Sequence, residues 1–378
     1  MICDRFGGGV RAIPLAFRPA AAPGSRPAPA APQLPERVRG ADLSFTLQLE
    51  AAGRTFTDQG RTAPVEQLLV TRGINTVRLR AWVNPPTGYS NLASALTLGR
   101  RAHDAGCKIL LDLHYSDFWA DPSNQTTPAA WRGQDLATLS STVRTYTRHA
   151  VAAFAAQGTQ LDMIQIGNEV TSGMLWPTGL VYAGGERWDG FVQLLNAGLS
   201  GAREGATAPL RTMVHIDRGA DNSGARHFYD NITRRGVDFD LIGLSYYPFW
   251  QGPLATLSSN LNDLATRYGK SVMVVETAYP WTLPAGDGVE YYAARPDQLP
   301  DIARFPATPA GQAAYFEALR ATIEAVPQDR GRGFLVWEPA WLPGVGWGAG
   351  EDNPYANLAM FDWRGAGLPS LRVFRADV

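Results

Sequence analysis

Cysteine is almost absent. Cys3 and Cys107 are the only two in 378 residues, too few for a disulfide framework and spaced for no metal motif. Cys107 opens an apolar run and reads as a small packing residue. Histidine is scarce as well: five occur, with no HisGluxxHis helix and no second Asp-x-His pair to complete a catalytic zinc site. No apolar run approaches the roughly 18 residues that cross a bilayer, because charge, Gly or Pro interrupts each one. An excess of one charge sign is also missing. A formal net charge of −1 from 34 basic and 35 acidic residues leaves no field to gather phosphates or anionic lipid, which argues against nucleic acid and membrane as partners. Neither a GxGxxG after an early strand nor a GxxxxGK[ST] occurs, so a doubly wound nucleotide-binding sheet is disfavoured.

What the chain does hold is order by repetition. Residues 1–35 are dominated by Ala, Pro, Arg and Gly and read as a disordered arm. The apolar stretch at 11–17 is broken by Pro14, so no clear signal peptide is legible. From residue 36 to 378, short runs rich in β-branched residues alternate with segments of helical period. The runs fall at 41–45, 74–80, 107–114, 161–169, 211–216, 240–245, 271–276 and 333–338. Between them, the segment at 92–105 is amphipathic and Gly106 fits a helix C-terminal cap. This alternation predicts an α/β fold, a closed (β/α)8 TIM barrel with long loops on its C-terminal face.

In such a barrel the C-terminal strand ends face the mouth, and polar residues there need an explanation. The ends carry Arg80, Asp112 with His114, Asn168 with Glu169, His215, Tyr246 with Tyr247, Glu276, and Trp337 with Glu338. Glycoside cleavage with retention needs one carboxylic acid to protonate the leaving oxygen and a second carboxylate to attack the anomeric carbon, about 5–5.5 Å apart. Glu169 and Glu276, on predicted strands 4 and 7, supply that pair. One strand-end Glu is as readily a structural ion pair; two on facing strands favour catalysis. Asn168 can hold a sugar hydroxyl beside the reacting carbon. Arg80 is expected to keep the nucleophile ionised, and Tyr247 to donate its phenolic proton to Glu276. His114 and His215 are read as positioning groups in preference to metal ligands. Eleven Trp and thirteen Tyr suit stacking on sugar faces. Of Trp82, Tyr115, Phe118, Trp119, Trp176, Tyr279, Trp281, Trp337, Trp341 and Trp347, about half are expected to line a cleft and the rest to pin loops.

The segments 40–44, 77–85, 111–122, 164–177, 245–250, 274–281 and 352–365 together resemble glycoside hydrolase family 53 across residues 36–378. The resemblance implies a retaining endo-β-1,4-galactanase acting on the galactan side chains of type I arabinogalactan and pectin. It puts the acid/base on Glu169 and the nucleophile on Glu276, with Arg80, His114, Asn168, His215, Tyr247 and Trp337 around the reacting sugar. Trp82, Asp117 and Trp119 become candidate subsite residues on the same basis. No cofactor is implied for the chemistry. Some bacterial relatives tie the last loops with calcium, but here only Asp287 and Asp352 match, short of the six to eight oxygens that calcium takes. The resemblance further implies secretion or a periplasmic location, and a monomer acting on polysaccharide. A β-mannanase or β-1,4-glucanase of the same clan is the alternative, because strand-end carboxylates are shared and subsites differ. Assayed side by side, galactan is expected to be hydrolysed and mannan and cellulose left intact; the reverse preference would select the alternative.

Overall fold

Runs of four to six residues rich in β-branched and aliphatic side chains form eight parallel strands. They are β1 (Val38–Asp42), β2 (Thr76–Ala81), β3 (Lys108–Leu113), β4 (Met163–Ile166), β5 (Arg211–Ile216), β6 (Leu241–Ser245), β7 (Ser271–Glu276) and β8 (Gly331–Val336). Each pairs with its sequence neighbours, and β1 pairs with both β2 and β8, so the sheet closes. The computed structural model describes residues 37–286, 288–348 and 350–377. The arm expected over 1–35, Cys3 and Asp287 lie outside the described residues.

Four of the seven helices named here start where a short polar side chain satisfies an orphan backbone N–H group. The helices α1 (Val65–Thr71), α2 (Leu92–Asp104), α3 (Leu136–Ala156), α4 (Trp188–Gly205), α5 (Asn222–Arg234), α6 (Leu254–Tyr268) and α7 (Pro309–Glu324) follow β1 to β7 in turn. Asn91 caps α2 through Ser94 N–H at 2.9 Å and Asp135 caps α3 through Thr138 N–H at 2.8 Å. Gly106, with φ of +90°, takes the left-handed position after α2, and its N–H reaches the His103 carbonyl at 2.9 Å. After β8, the 3-10 segment Pro369–Phe374 packs on α7 in the place of an eighth helix.

Strand alternation sorts the inside of the barrel into layers. Val38, Leu110, Met163, Met213, Leu241, Met273, Val275 and Leu335 form a closed apolar plug. Two residues further along, towards the mouth, stand Asp112, Gln165 and His215, all buried. The outward faces of the strands meet the helices in a separate, larger apolar layer.

Six of the eight strands differ from expectation in their bounds, three of them for reasons visible in packing and backbone. The first strand is Val38–Asp42 and not 41–45, because Leu43 and Phe45 leave the sheet to pack in the outer layer, with Phe45 stacked on Trp341 at 4.2 Å. Strand β4 stops at Ile166 and β8 at Val336, since Gly167 (φ +82°) and Glu338 (φ +43°) take left-handed backbone that ends extended structure.

Phe154 is fully buried on α3, and a Cβ built on Gly99 of α2 would come 2.5 Å from its ring, so the two helices meet here without slack. Phe154→Ala should therefore cost about 3–5 kcal/mol, read as a lowered midpoint of urea unfolding. An unchanged midpoint would show that the helices repack freely.

Candidate active site

Alternation brings Arg78 of β2 into the barrel mouth, where its guanidinium is saturated. Nη1 donates to Asp42 Oδ2 at 2.8 Å; Nη2 donates to Asp112 Oδ2 at 2.8 Å, Asn168 Oδ1 at 2.9 Å and Glu276 Oε1 at 2.8 Å; Nε donates to Gln165 Oε1 at 2.7 Å. Burial alone would pull this cation's pKa down, but Asp112, Glu276 and Asp42 outweigh it and push the pKa well up. Asp112 is the mirror case: burial raises its pKa, and Arg78 with His114 more than reverses that.

Glu276 reaches this layer through an irregularity. Val275 belongs to the apolar plug, so strict alternation would turn the next residue outward. The pairing of β6 with β7 shifts register between Leu244 and Ser245, so that Ser245 faces Glu276. A bulge of this kind re-aims a side chain, and Glu276 joins Arg78. Its other oxygen, Oε2, accepts from the Tyr247 hydroxyl at 3.0 Å. Burial raises the Glu276 pKa and Arg78 pulls it back without cancelling the rise. Tyr247 itself is held far above the usual phenol range, by burial first and then by Glu276, and so stays a donor.

Glu169 follows Gly167 and Asn168 in a turn that ordinary residues resist. Glu169 has φ of +47°, and a Cβ at Gly167 would lie 2.4 Å from Val170 Cγ1. Non-glycine residues held in this region store about 1–3 kcal/mol. The Glu169 pKa is raised well above the carboxylate range, by burial first, then by Glu276 and Asp217, with a hydrogen bond from Ser245 opposing. Beneath it, His215 Nδ1 receives Gln165 Nε2 at 2.9 Å and the Glu169 N–H at 3.4 Å. Asn168 Oδ1 also stands 3.0 Å from Nδ1, and Nε2 lies 2.8 Å from Ser245 Oγ. Burial, then Arg78, pushes the His215 pKa well down, so this imidazole is neutral.

A cavity of about 530 Å³ brings together Arg78, Arg80, His114, Asn168, Glu169, Tyr247, Glu276 and Trp337. Its walls are aromatic. Phe118, Trp119, Trp337 and Trp347 line it as four of the ten rim aromatics, joined by Trp250 from the short helix Pro248–Gln251 and by Tyr292 and Tyr355. Trp82, Tyr115, Tyr279 and Trp341 are buried and pin loops instead.

Several expectations are corrected here. Arg78, not Arg80, contacts Glu276; Arg80 Nη1 donates to Glu338 Oε1 at 2.6 Å, and its carbon lies over the Phe45 ring at 4.2 Å and the Trp119 ring at 4.5 Å. Arg80 nevertheless lines the cavity, and its Nε and Nη2 have no hydrogen-bond partner among the described residues. Asp117 is not at the cavity: its carboxylate accepts the Asn84 and Ala129 N–H groups at 2.9 and 2.8 Å and clamps two loops. Trp82 donates to His114 Nδ1 at 3.2 Å from behind, and His215 is wholly enclosed below the cavity floor. Arg78, Asp42, Gln165 and Ser245 were missed, although two arginines at i and i+2 of one strand, both inward, were a usable signal.

His114 Nε2 faces Asp112 Oδ2 at 3.0 Å, and no group of three or more His, Cys, Asp or Glu among the described residues is arranged to hold a metal. Asp352 is exposed in the last loop, and Asp287, the other residue expected to hold calcium, lies outside the described residues.

The raised pKa of Glu169 carries a stability consequence. A carboxyl whose folded pKa exceeds its unfolded value favours folding below the unfolded pKa, and that contribution is lost as pH rises through the folded pKa. Glu169→Gln should therefore melt at a higher temperature than wild type at about pH 8, and at the same temperature at about pH 3, below the unfolded pKa. Calorimetry at the two pH values checks this; equal melting at both would mean that Glu169 is not strained by its charge.

Known proteins resemble the chain over most of its length. The profile of glycosyl hydrolase family 53 matches residues 38–374. A protein from Aspergillus niger named arabinogalactan endo-beta-1,4-galactanase A is 38% identical over 321 residues, 82% of this chain and 87% of its own length. The solved Ignisphaera aggregans GH53 catalytic domain superposes with a TM-score of 0.84 at 34% identity, covering 91% of this chain and 97% of that one. A fungal β-1,4-galactanase structure superposes with a TM-score of 0.80 at 34% identity, covering 90% and 99%. With its closed eight-stranded barrel, the chain belongs to glycosyl hydrolase family 53.

Proposed function

We propose that the protein is a retaining endo-β-1,4-galactanase, with Glu276 as nucleophile and Glu169 as general acid and then base. The observation that carries the reading is one cavity lined by two carboxyls with different partners. Glu276 is hydrogen-bonded by Arg78 and Tyr247, which favour its anion. Glu169 is pressed by burial and by the Glu276 charge to keep its proton. Two titratable groups whose surroundings push them apart in this way are the signature of an acid and a nucleophile.

The chemistry follows. Glu276 attacks the anomeric carbon while Glu169 gives its proton to the departing oxygen; water, deprotonated by Glu169, then releases the sugar from Glu276. Two carboxyls suffice, so the reaction needs no cofactor. Asn168, with Oδ1 on Arg78 and Nδ2 on the Ala120 carbonyl at 2.9 Å, is fixed at the edge of the reacting site. Attack within a chain is favoured by the groove: the central cavity shares Glu351 with a neighbour of about 630 Å³, and Glu169 with another of about 460 Å³ on its other flank. The substrate is galactan by the names of the relatives. No helix among the described residues is long and apolar enough to cross a membrane.

Glu276→Ala should lower kcat on galactan by at least about a thousandfold while the fold persists by circular dichroism; wild-type turnover in this variant would remove the assigned nucleophile. The pH profile of kcat/KM should be a bell, with its acid limb set by Glu276 and its alkaline limb by Glu169. The Tyr247 hydrogen bond lowers the Glu276 pKa, so Tyr247→Phe should move the acid limb to higher pH. A limb that stays in place, or moves down, contradicts this assignment.

A further inference from the structure

Glu169 acts from a backbone conformation that its own residue type resists. Its φ of +47° and ψ of +49° are left-handed helical values, which a side chain makes unfavourable. A contact from outside the turn holds it there. Gln125, buried in the segment after β3, reaches the turn with its side-chain amide. Nε2 donates to the Asn168 carbonyl at 2.8 Å and to the Asp121 carbonyl at 3.0 Å, and stands 3.5 Å from the Glu169 carbonyl. The Asn168 and Glu169 carbonyls belong to the two peptide planes that flank the Glu169 Cα. In extended backbone such neighbours point opposite ways, whereas helical dihedrals align them. One amide therefore meets both carbonyls only while Glu169 keeps its turn, and relaxation to extended backbone would break the contact.

Gln125 is itself anchored. Its carbonyl accepts the Trp176 N–H at 2.8 Å, and the Thr127 hydroxyl donates to the Trp176 carbonyl at 2.8 Å. Its Oε1 is buried and has no hydrogen-bond partner among the described residues. Only the donor half of the amide is used, and an apolar side chain of the same length would fill the space without stranding an oxygen. Gln125 does not line the central cavity, so its action on the reaction passes through Glu169. A different pair ties the far end of the turn. The Thr171 hydroxyl donates to the Asp217 carboxylate and accepts the Asp217 N–H at 3.4 Å, and Asp217 and Arg218 line the space of about 460 Å³ beside Glu169.

We propose that Gln125 is a positioning residue for the general acid: its amide, bridging the two carbonyls that flank the Glu169 Cα, locks the left-handed turn and so aims the Glu169 carboxyl at the leaving oxygen. The inference rests on the assignment of Glu169 as the acid. Glu276 is held separately, by Arg78 and Tyr247. Loss of the Gln125 amide should thus misplace the proton donor and leave the nucleophile where it is.

Two substrates separate these effects. A sugar leaves galactotetraose only as its oxygen is protonated, whereas dinitrophenolate leaves a dinitrophenyl β-galactobioside as a stable anion without a proton. Gln125→Met keeps the length and removes the donors. In this variant kcat/KM for the tetraose should fall about a hundredfold, the scale of a small misplacement of a reacting group, while kcat/KM for the aryl glycoside holds. Its kcat on the aryl glycoside should drop, because release of the sugar from Glu276 still needs Glu169 as base. Azide, which attacks the anomeric carbon without a base and displaces the Glu276 carboxylate, should restore that turnover and yield a galactobiosyl azide. If Gln125→Met does not fold by circular dichroism, Gln125→Asn, one methylene shorter, withdraws the amide from both carbonyls and is read in the same way. Equal losses of kcat/KM on both substrates, or no loss on either, overturn the proposal. Glu169→Ala, assayed alongside, should show the same split more strongly. Its absence there overturns the acid assignment and the inference with it; a split in Glu169→Ala that is missing from the Gln125 variants overturns the inference alone.

Discussion

Everything at the mouth of the barrel is organised by the Arg78 guanidinium. It comes from β2 and binds Asp42 at the end of β1, Asp112 on β3, Gln165 on β4, Asn168 beyond β4 and Glu276 on β7. Three of those partners are carboxylates buried with a single cation among them. Removing one partner from a buried pair leaves an uncompensated charge, which costs far more than a surface ion pair would supply. Side chains separated by two hundred residues are thereby fixed relative to one another, and arginine suits the task because its planar fork serves several acceptors at once.

The same arrangement leaves negative charge in excess, and that excess is what makes the site reactive. One guanidinium cannot neutralise Asp42, Asp112 and Glu276 together, and burial first, then the charges of Glu276 and Asp217, make Glu169 hold its proton. Backbone strain accompanies the charge. Glu169 and Glu338, at the ends of different strands, both occupy left-handed conformations that side-chain-bearing residues seldom adopt. Such local costs persist only because the apolar plug below and the helices outside define the strands independently of the mouth. Stability resides in the lower layers and the chemistry in the upper one.

Aromatic residues divide between these two tasks. Phe45, Trp341 and Tyr355 stack against one another, with Trp341 and Tyr355 at 5.9 Å, and form a rigid backing for Trp337 and Trp347. A cleft wall that is already packed loses little conformational freedom when a sugar ring settles on it. Arg80 belongs to this wall and not to the nucleophile: Glu338 holds one end of its guanidinium, and ring faces hold the plane.

By itself the sequence determined the barrel, its eight strands to within a few residues, and the two glutamates that face one cavity, because alternation and strand-end polarity are local properties of the chain. Gly106 as a cap and Tyr247 on Glu276 were legible for the same reason. Which arginine meets the nucleophile was not legible. Arg78 and Arg80 share a face two residues apart, and only the depth at which Asp42 and Asp112 arrive from neighbouring strands distinguishes them. Nor could spacing show that Asp117 clamps two loops, that a bulge turns Glu276 inward beside Val275, or that Asp217 and Arg218 stand beside Glu169. Those outcomes depend on register between strands and on loops meeting across the mouth, and long-range geometry of that kind exists only once the chain has closed on itself.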